Sequence, residues 1–398
     1  MSPFVILFLG LWLLTGHFAF GYHSEALVIS DSVAGVLLLV LGCFALPNTK
    51  AWVPWAIALV GVWLEAAPLL FWSPDAACYV NDTLIGALVV LFSILIPPIP
   101  GQLPDVGASV PPGWNYNPSA WPQRIPIAAL ACVGWFISRY LAAYQLGYID
   151  QIWDPVFGEG TLDVITSSIS RSFPVSDAGL GAMAYTLEVL LTCKGGVRRW
   201  RTMPWMVVVF GILVVPLGLT SIVLIVLQPV VVGAWCFLCL VTALCMVIMV
   251  PLAIDEVAAV VHYLQLRKGS FWRVFFQGGT CPGASRDRKE HSFAVQGVTL
   301  RKSLAVTAGI GVWLMITPWV FELSGAIADW DHILGPFAVV TAAIATADVT
   351  RKAHYLNGLF ALLLLIVSIV FFGEQPIGAF VNHLGIIILL FSLNSQKN

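Results

Sequence analysis

The chain has 398 residues, of which 59% are hydrophobic and only 10% are charged, and its formal net charge is −2. Soluble globular domains carry about 25% charged residues, so this composition excludes a soluble domain and indicates a polytopic membrane protein. The near-neutral charge also argues against nucleic acid as a partner and leaves membrane lipid as the expected one. The expected fold class is all-α.

Apolar segments of membrane-spanning length recur along the whole chain. We predict about twelve transmembrane helices, near residues 4–20, 27–46, 52–72, 83–99, 125–146, 175–193, 204–227, 236–264, 303–320, 332–349, 354–372 and 378–394. The first segment lacks a basic start and a small-residue cleavage site, so we expect a retained helix rather than a signal peptide. With a cytoplasmic N-terminus, all but two of the 19 basic residues fall on the cytoplasmic side, which is the asymmetry of the positive-inside rule. The sequence therefore predicts a multi-pass protein of a bacterial cytoplasmic membrane with both termini in the cytoplasm.

The predicted spans fall into three groups. Residues 1–100 hold the first group, a Pro/Gly-rich linker covers 101–123, and a middle group of four spans covers 124–266. A basic loop over 267–302, predicted to be cytoplasmic, leads to a last group over 303–398.

The first and last groups share a local pattern, which indicates an internal repeat. Gly61–Pro68 reads GVWLEAAP and Gly311–Pro318 reads GVWLMITP. Thr317-Pro318-Trp319 resembles the signature of the SPW-repeat membrane family, although the first copy has Leu69 where Trp is expected. The resemblance implies a scaffold of paired helices and no known chemistry.

A C-x-x-C pair, Cys236 and Cys239, opens the fourth span of the middle group. Gln228-Pro229 and Gly233 interrupt the preceding helix, so the pair is expected at a helix N-terminus near a membrane face. That position favours the thiolate, which is the nucleophilic form of cysteine. The predicted topology places the pair at the outer face, where the bacterial compartment is oxidising. The spacing alone fits both thiol–disulfide exchange and two cysteines that merely fill an apolar helix.

The middle group resembles the vitamin K epoxide reductase family, because four helices, an outer loop after the first and a C-x-x-C opening the fourth occur in order. The resemblance implies a four-helix bundle that holds a quinone of the ubiquinone or menaquinone type near the outer face. It also implies electron transfer from thiols to that quinone, with an external thioredoxin-like thiol–disulfide protein as a partner. Cys236 and Cys239 match the redox pair of the family, with Cys239 nearest the quinone. The positions that match its quinone-binding residues are Asp177, which stands where the family has Asn, and Ser167, Gly181 and Tyr185.

Two positions depart from the family. Its outer loop carries a cysteine pair that passes electrons to the C-x-x-C, whereas this chain has Thr161 where such a cysteine is expected. Ala243 stands where the family often has Tyr. Without the relay, either an external thiol reaches Cys236 directly or turnover has been lost. Cys78, the remaining cysteine on the predicted outer side, is a hypothetical substitute for the relay, and a buried structural thiol is the alternative.

Several polar residues in or near the spans require partners. Asp177 could donate to a quinone carbonyl only when protonated; the alternative is that it caps the following helix. Because isolated charges in hydrocarbon are costly, we expect Arg139 to pair with Glu188 or with Asp177, while Glu65 has no explanation in the sequence. A polar end at the membrane interface is expected for Asp255, Glu256 and His262.

The leading functional prediction is a membrane thiol–quinone oxidoreductase. The alternative is a non-catalytic scaffold or quinone-binding protein that has lost the electron relay. A transporter is disfavoured, because the few charged residues inside the spans are isolated from one another. No metal site is predicted, since Cys281 has no ligand partners nearby in the sequence.

Overall fold

The computed structural model describes residues 1–46, 50–96, 107–267, 269–285 and 295–395. Within these ranges the chain forms helices and no strands, so the protein is an all-α polytopic membrane protein. Residues 97–106, which include the start of the predicted linker, lie outside the described residues. So do five of the basic residues predicted to be cytoplasmic: Lys268, Arg286, Arg288, Lys289 and Lys397.

The helices are α1 Ser2–Phe20, α2 Glu25–Phe44, α3 Val53–Leu70, α4 Ala76–Ser93, α5 Trp121–Gln145, α6 Gly160–Ile165, α7 Asp177–Cys193, α8 Arg199–Thr202, α9 Pro204–Leu227, α10 Phe237–Leu266, α11 Phe271–Gln277, α12 Lys302–Val320, α13 Ala326–Ile344, α14 Leu356–Val370 and α15 Ile377–Ser395. Ten helices of the described chain are long and apolar enough to cross a membrane. The predicted count of twelve is not confirmed. The two other predicted spans form α7, with 17 residues, and α15, whose described apolar part is Ile377–Leu393.

Two helices begin several residues earlier than hydropathy predicts. The spans predicted at 83–99 and 332–349 form α4 and α13, which start at Ala76 and Ala326. The reason is that each helix contains a buried carboxylate near its start. A charged residue lowers the local hydropathy, so the predicted span begins only after it. Asp82 accepts a hydrogen bond from the Tyr22 hydroxyl, and Asp331 accepts one from Thr317. Buried polar groups with such partners are tolerated inside a helix bundle.

The first unit, α1–α4, and the last unit, α12–α15, use the same close helix contact. A Cβ atom built on Gly61 would lie 2.9 Å from the carbonyl oxygen of Gly86. One built on Gly311 would lie 2.6 Å from that of Gly335. Any larger side chain would push the helices apart. The recurring contact supports the repeat that the sequence indicates.

The middle bundle, α5, α7, α9 and α10, encloses an apolar core. Its central residues include Ile127, Tyr185, Phe210 and Met249. The first unit packs against one side of this bundle, where the Tyr148 hydroxyl donates to the Ser73 carbonyl at 2.7 Å. Burial raises the pKa of Tyr148 to about 12, so its hydroxyl stays protonated as that donor.

Arg139 joins the first unit to the bundle. Its Nη1 donates to Thr83 Oγ1 at 2.8 Å, and its guanidinium lies 4.6 Å from the centre of the Tyr79 ring. The predicted pairing of Arg139 with Glu188 or Asp177 is therefore wrong, because the side chain points out of its own bundle. Glu65, a buried residue of the first unit, is close enough to Arg139 for the charge to act on it but forms no ion pair with it among the described residues.

The part of α10 around Asp255 and Glu256 is enclosed by protein. Asp255 and Glu256 are only 1% and 2% exposed, so the predicted interfacial polar end is wrong for both residues. The physical reason is that residues distant in sequence fold over this end. Arg199 contacts Glu256 at 2.6 Å, Ser119 donates to Glu256 at 2.5 Å, and Tyr116 donates to Asp255 at 2.7 Å.

Candidate functional site

The C-x-x-C pair forms a disulfide at the start of α10. The sulfur atoms of Cys236 and Cys239 lie at bonding distance, with their Cα atoms 5.2 Å apart. Cys236 is the N-cap residue, and its Sγ accepts a hydrogen bond from the Cys239 N–H at 3.1 Å. The expected position at a helix N-terminus is confirmed, and there the helix dipole favours the thiolate once the pair is reduced. Cys236 is fully buried, whereas Cys239 is half-buried.

The segment before the pair is a π-helical turn, Gln228–Val232, that ends the α9 segment. Gly233 follows in the left-handed region with φ 75°, which a glycine adopts without strain. Its N–H donates to the Gln228 carbonyl at 2.9 Å. The side-chain oxygen of Gln228 accepts the N–H of Cys236 at 3.0 Å. The Pro and Gly signals thus end the helix as expected, and Gln228 fixes the approach to the C-x-x-C.

A cavity of about 170 Å³ opens beside Cys239. An apolar cavity of about 150 Å³ in another protein holds benzene, so the volume fits a single ring. Cys239 lines the cavity together with all four residues that the resemblance assigns to quinone binding: Asp177, Ser167, Gly181 and Tyr185. The lining also contains polar residues that sequence analysis did not assign to the site: Ser138, Ser170, Ser221, Gln228 and Thr242. No sequence signal marks these residues, because they come from separate segments and converge only in the folded bundle.

Hydrogen bonds anchor Asp177 in the wall of the cavity. Its Oδ1 accepts hydrogen bonds from Gln145 Nε2 at 2.5 Å and from Ser170 Oγ at 3.0 Å. Ser176 rather than Asp177 is the N-cap and accepts the Gly179 N–H at 2.9 Å, although Asp177 Oδ1 does accept one backbone N–H of the first turn, that of Ala178, at 2.8 Å. Asp177 is instead the first helical residue, where a carboxylate interacts favourably with the helix dipole.

The contact between α5 and α7 depends on small residues. The Tyr185 ring packs directly over Gly134, where an added Cβ would overlap the ring. A Cβ built on Gly181 would lie 3.2 Å from Ser138 Oγ. The Tyr185 hydroxyl donates to the Thr242 carbonyl at 3.5 Å, a long hydrogen bond that directs the ring toward α10. Gly181 and Tyr185 therefore shape the cavity wall.

The loop between α5 and α7 closes over Cys236. Gly160 packs so closely on the Trp235 carbonyl that no side chain fits there. Thr161, which stands where the family has a relay cysteine, is fully buried and donates to Asp154 Oδ2 at 2.6 Å. Since Cys236 is 0% exposed, direct attack by an external thiol requires this loop to move.

Asp154 is the residue that holds this loop together. Its Oδ2 also accepts the Thr161 N–H, while Oδ1 accepts the N–H groups of Val156 and Phe157. Burial acts to raise the pKa of Asp154, but these hydrogen bonds outweigh it and hold the pKa below its usual range. The carboxylate therefore stabilises the closed loop above the ordinary Asp pKa, and this contribution is lost as the pH falls through the lowered value.

We expect Asp154→Asn to open the loop and expose Cys236. Asparagine keeps one oxygen but presents an NH₂ group to the Thr161 donors, so that side of the hydrogen-bond network is lost. The labelling rate of Cys236 by a maleimide, measured by peptide mass spectrometry on reduced protein at neutral pH, should rise several-fold. Asp150→Asn, the same change on an exposed loop residue, is the control. Equal labelling rates in the two variants would contradict the assigned role.

Cys78 lies inside the first unit, away from solvent. It is 0% exposed, packs with Leu27 and Ala67, and its Sγ donates to Asp82 Oδ2 at 3.5 Å. These surroundings agree with the structural-thiol alternative. In the described part of the chain, no group of three or more His, Cys, Asp or Glu side chains is placed to hold a metal ion.

Comparison with known families identifies two regions of the chain. Residues 125–254 match the model of the vitamin K epoxide reductase family, and residues 1–96 match that of the SPW repeat domain. Comparisons with curated proteins and with solved structures give no match. The first family, together with the close pair of Cys236 and Cys239, supports a membrane oxidoreductase function. The chain thus carries a vitamin K epoxide reductase family domain preceded by an SPW repeat domain.

Proposed function

We propose that the protein is a membrane thiol–quinone oxidoreductase. The observation that carries the proposal is the cavity beside Cys239, whose volume fits one ring and whose lining includes the matched residues Asp177, Ser167, Gly181 and Tyr185. Apolar side chains form most of its wall and a few polar groups complete it, as in sites that orient a small ligand. The vitamin K epoxide reductase family is associated with quinone substrates.

In the proposed reaction the two thiols lose two electrons and two protons as the disulfide between Cys236 and Cys239 forms. A bound quinone of the ubiquinone or menaquinone type accepts both electrons and both protons and becomes a quinol. Cys239 lines the cavity and therefore contacts the quinone. Cys236 exchanges with a dithiol of an external thioredoxin-like protein when the α5–α7 loop moves.

Asp177 binds the far side of the ring in this proposal. Hydrogen bonds from Gln145 and Ser170 go to its Oδ1, and Oδ2 makes none with the described residues. Donation from Oδ2 to a quinone carbonyl requires the protonated form of Asp177, because the carboxylate only accepts hydrogen bonds. The fixed Oδ1 network would keep that donor directed at the cavity.

We place the protein in a bacterial cytoplasmic membrane, with both termini in the cytoplasm and the C-x-x-C near the outer face. The distribution of basic residues supports this orientation. We retain the divisions 1–100, 101–123, 124–266, 267–302 and 303–398. The first and last units brace the bundle in this arrangement; on the side of the last unit, the ring of His332 packs 5.4 Å from that of Trp235.

The second candidate is a non-catalytic quinone-binding or scaffold protein. The observation in its favour is the closed α5–α7 loop, in which buried Thr161 replaces the relay cysteine and Cys236 is inaccessible. Such a protein would keep the cavity and would not cycle its cysteines.

Differential alkylation of Cys236 and Cys239 in intact membranes distinguishes the two candidates. We expect the pair to be a disulfide when the quinone pool is oxidised and a dithiol when the pool is reduced. Cys132 and Cys193, which are exposed free thiols, serve as internal references that remain reduced in both states. A pair that stays reduced whatever the pool does would overturn the enzyme proposal and leave the binding protein.

A further inference from the structure

Gln228 connects the C-x-x-C to the cavity. It is 3% exposed, begins the π-helical turn and lines the cavity together with Cys239. Its Oε1 accepts the N–H of Cys236 at 3.0 Å. A single buried amide therefore touches both the redox pair and the space beside it.

The orientation of this amide follows from its partner. The Cys236 N–H is a donor, so the atom facing it must be the oxygen of the side chain and not the nitrogen. Nε2 then carries two N–H donors that make no hydrogen bond with the described residues. Since Gln228 lines the cavity, these donors are available to a ligand there that accepts a hydrogen bond.

Two other hydroxyl groups that line the cavity already donate their protons to backbone carbonyls. The Thr242 hydroxyl donates to the Cys239 carbonyl at 2.9 Å, and the Ser221 hydroxyl donates to the Leu217 carbonyl at 2.9 Å. Gln228 differs from these two residues because its Nε2 donors remain available, and it is also in direct contact with the C-x-x-C.

We propose that Gln228 Nε2 donates a hydrogen bond to the carbonyl of a para-quinone next to Cys239, and so is a substrate-binding residue. A para-quinone carries such an acceptor on each side of its ring, and Gln228 lines the same cavity as Cys239. This inference rests on the proposed function. It adds a residue that places the ring against the thiol, because the same amide holds the backbone of Cys236.

The test is Gln228→Glu, which keeps an oxygen for the Cys236 N–H and the shape of the side chain but removes the two N–H donors. Binding of ubiquinone-1, which has a single quinone ring, is measured by calorimetry at pH 8 on the oxidised full-length protein in nanodiscs, where no thiol of the pair can consume the probe. We expect the dissociation constant to rise at least about tenfold, the equivalent of one lost hydrogen bond of about 1.4 kcal/mol. The infrared carbonyl band of the bound quinone should move to higher frequency, a change that a purely structural role would not produce.

Two further variants complete the design. Gln228→Met has a similar volume but lacks both polar atoms, and it should weaken binding as much as Gln228→Glu does. The test therefore stands even where the Glu variant does not fold. Gln277→Glu makes the same chemical change on an exposed residue and should leave binding unchanged. If the wild type binds the probe and the folded Gln228 variants bind it equally well, the role of Gln228 is overturned but the proposed function is not. Absence of probe binding to the wild type overturns the proposed function and this inference with it.

Discussion

Cys239→Ala should abolish quinone reduction while leaving the bundle folded. Removal of a catalytic nucleophile lowers turnover by very large factors, so we expect a loss of about a thousand-fold or more. Without the Cys239 sulfur no disulfide can form within the pair, and a single thiol cannot supply two electrons. The substitution removes one half-buried sulfur atom and does not touch the core around Tyr185 and Phe210, so the fold should persist.

The measurement is quinol formation by the purified protein in nanodiscs, with dithiothreitol as the thiol donor and the uncatalysed rate subtracted. Cys132→Ala is the matched control, because it makes the same change at an exposed cysteine of α5. It should retain wild-type activity, and Cys236→Ala should be as inactive as Cys239→Ala. Full activity of the Cys239 variant, with its fold intact, would contradict the mechanism.

Glu256→Gln should lower the free energy of unfolding by about 3–5 kcal/mol, the usual cost of removing one partner from a buried ion pair. The side chains of Arg199 and Glu256 are 1% and 3% exposed and lie 2.6 Å apart. Glutamine would leave the guanidinium of Arg199 buried without a counter-charge. It would also change the acceptor of the Ser119 hydroxyl.

The effect should extend beyond the pair, because Arg199 also holds the end of α7. Its Nη1 donates to the carbonyl of Leu191 at 2.6 Å, and Arg124 Nε donates to that of Thr192 at 2.8 Å. These hydrogen bonds satisfy carbonyl groups that a helix C-terminus leaves without partners. Loss of the Glu256 charge therefore loosens the junction between α7 and α10.

Asp348→Asn is the matched control for this prediction. Asp348 pairs with Arg351, and their side chains are 43% and 34% exposed, so solvent screens the interaction. The same carboxyl-to-amide change should cost at most about 1 kcal/mol there. Both variants are compared by denaturant unfolding of the protein in detergent micelles. If the two lose the same free energy, the buried pair does not contribute as described.

The sequence by itself determined the features that depend on local composition and spacing. The apolar runs indicate an all-α membrane protein, because a backbone in lipid must satisfy its hydrogen bonds within each helix. Pro229 and Gly233 end the helix before the C-x-x-C, since proline lacks an N–H and glycine adopts positive φ. Cys236 therefore lies at the start of α10 for reasons that are present in neighbouring residues.

Only the tertiary structure decided which side chains meet. The spacing of residues along a helix does not say which neighbouring helix a side chain faces. The sequence therefore could not show that Arg139 contacts Thr83 of the first unit rather than Glu188. Hydropathy values carry no information on whether distant segments cover a polar residue. For this reason the sequence predicted neither the burial of Glu256 nor the early start of helices such as α4. The hydrogen bond that the Cys236 N–H donates to Gln228 Oε1 likewise forms only when the chain turns back on itself. Long-range packing fixes these contacts and therefore the candidate site. It lowers the entropy of the chain, and the burial of apolar groups and the pairing of polar groups offset that cost.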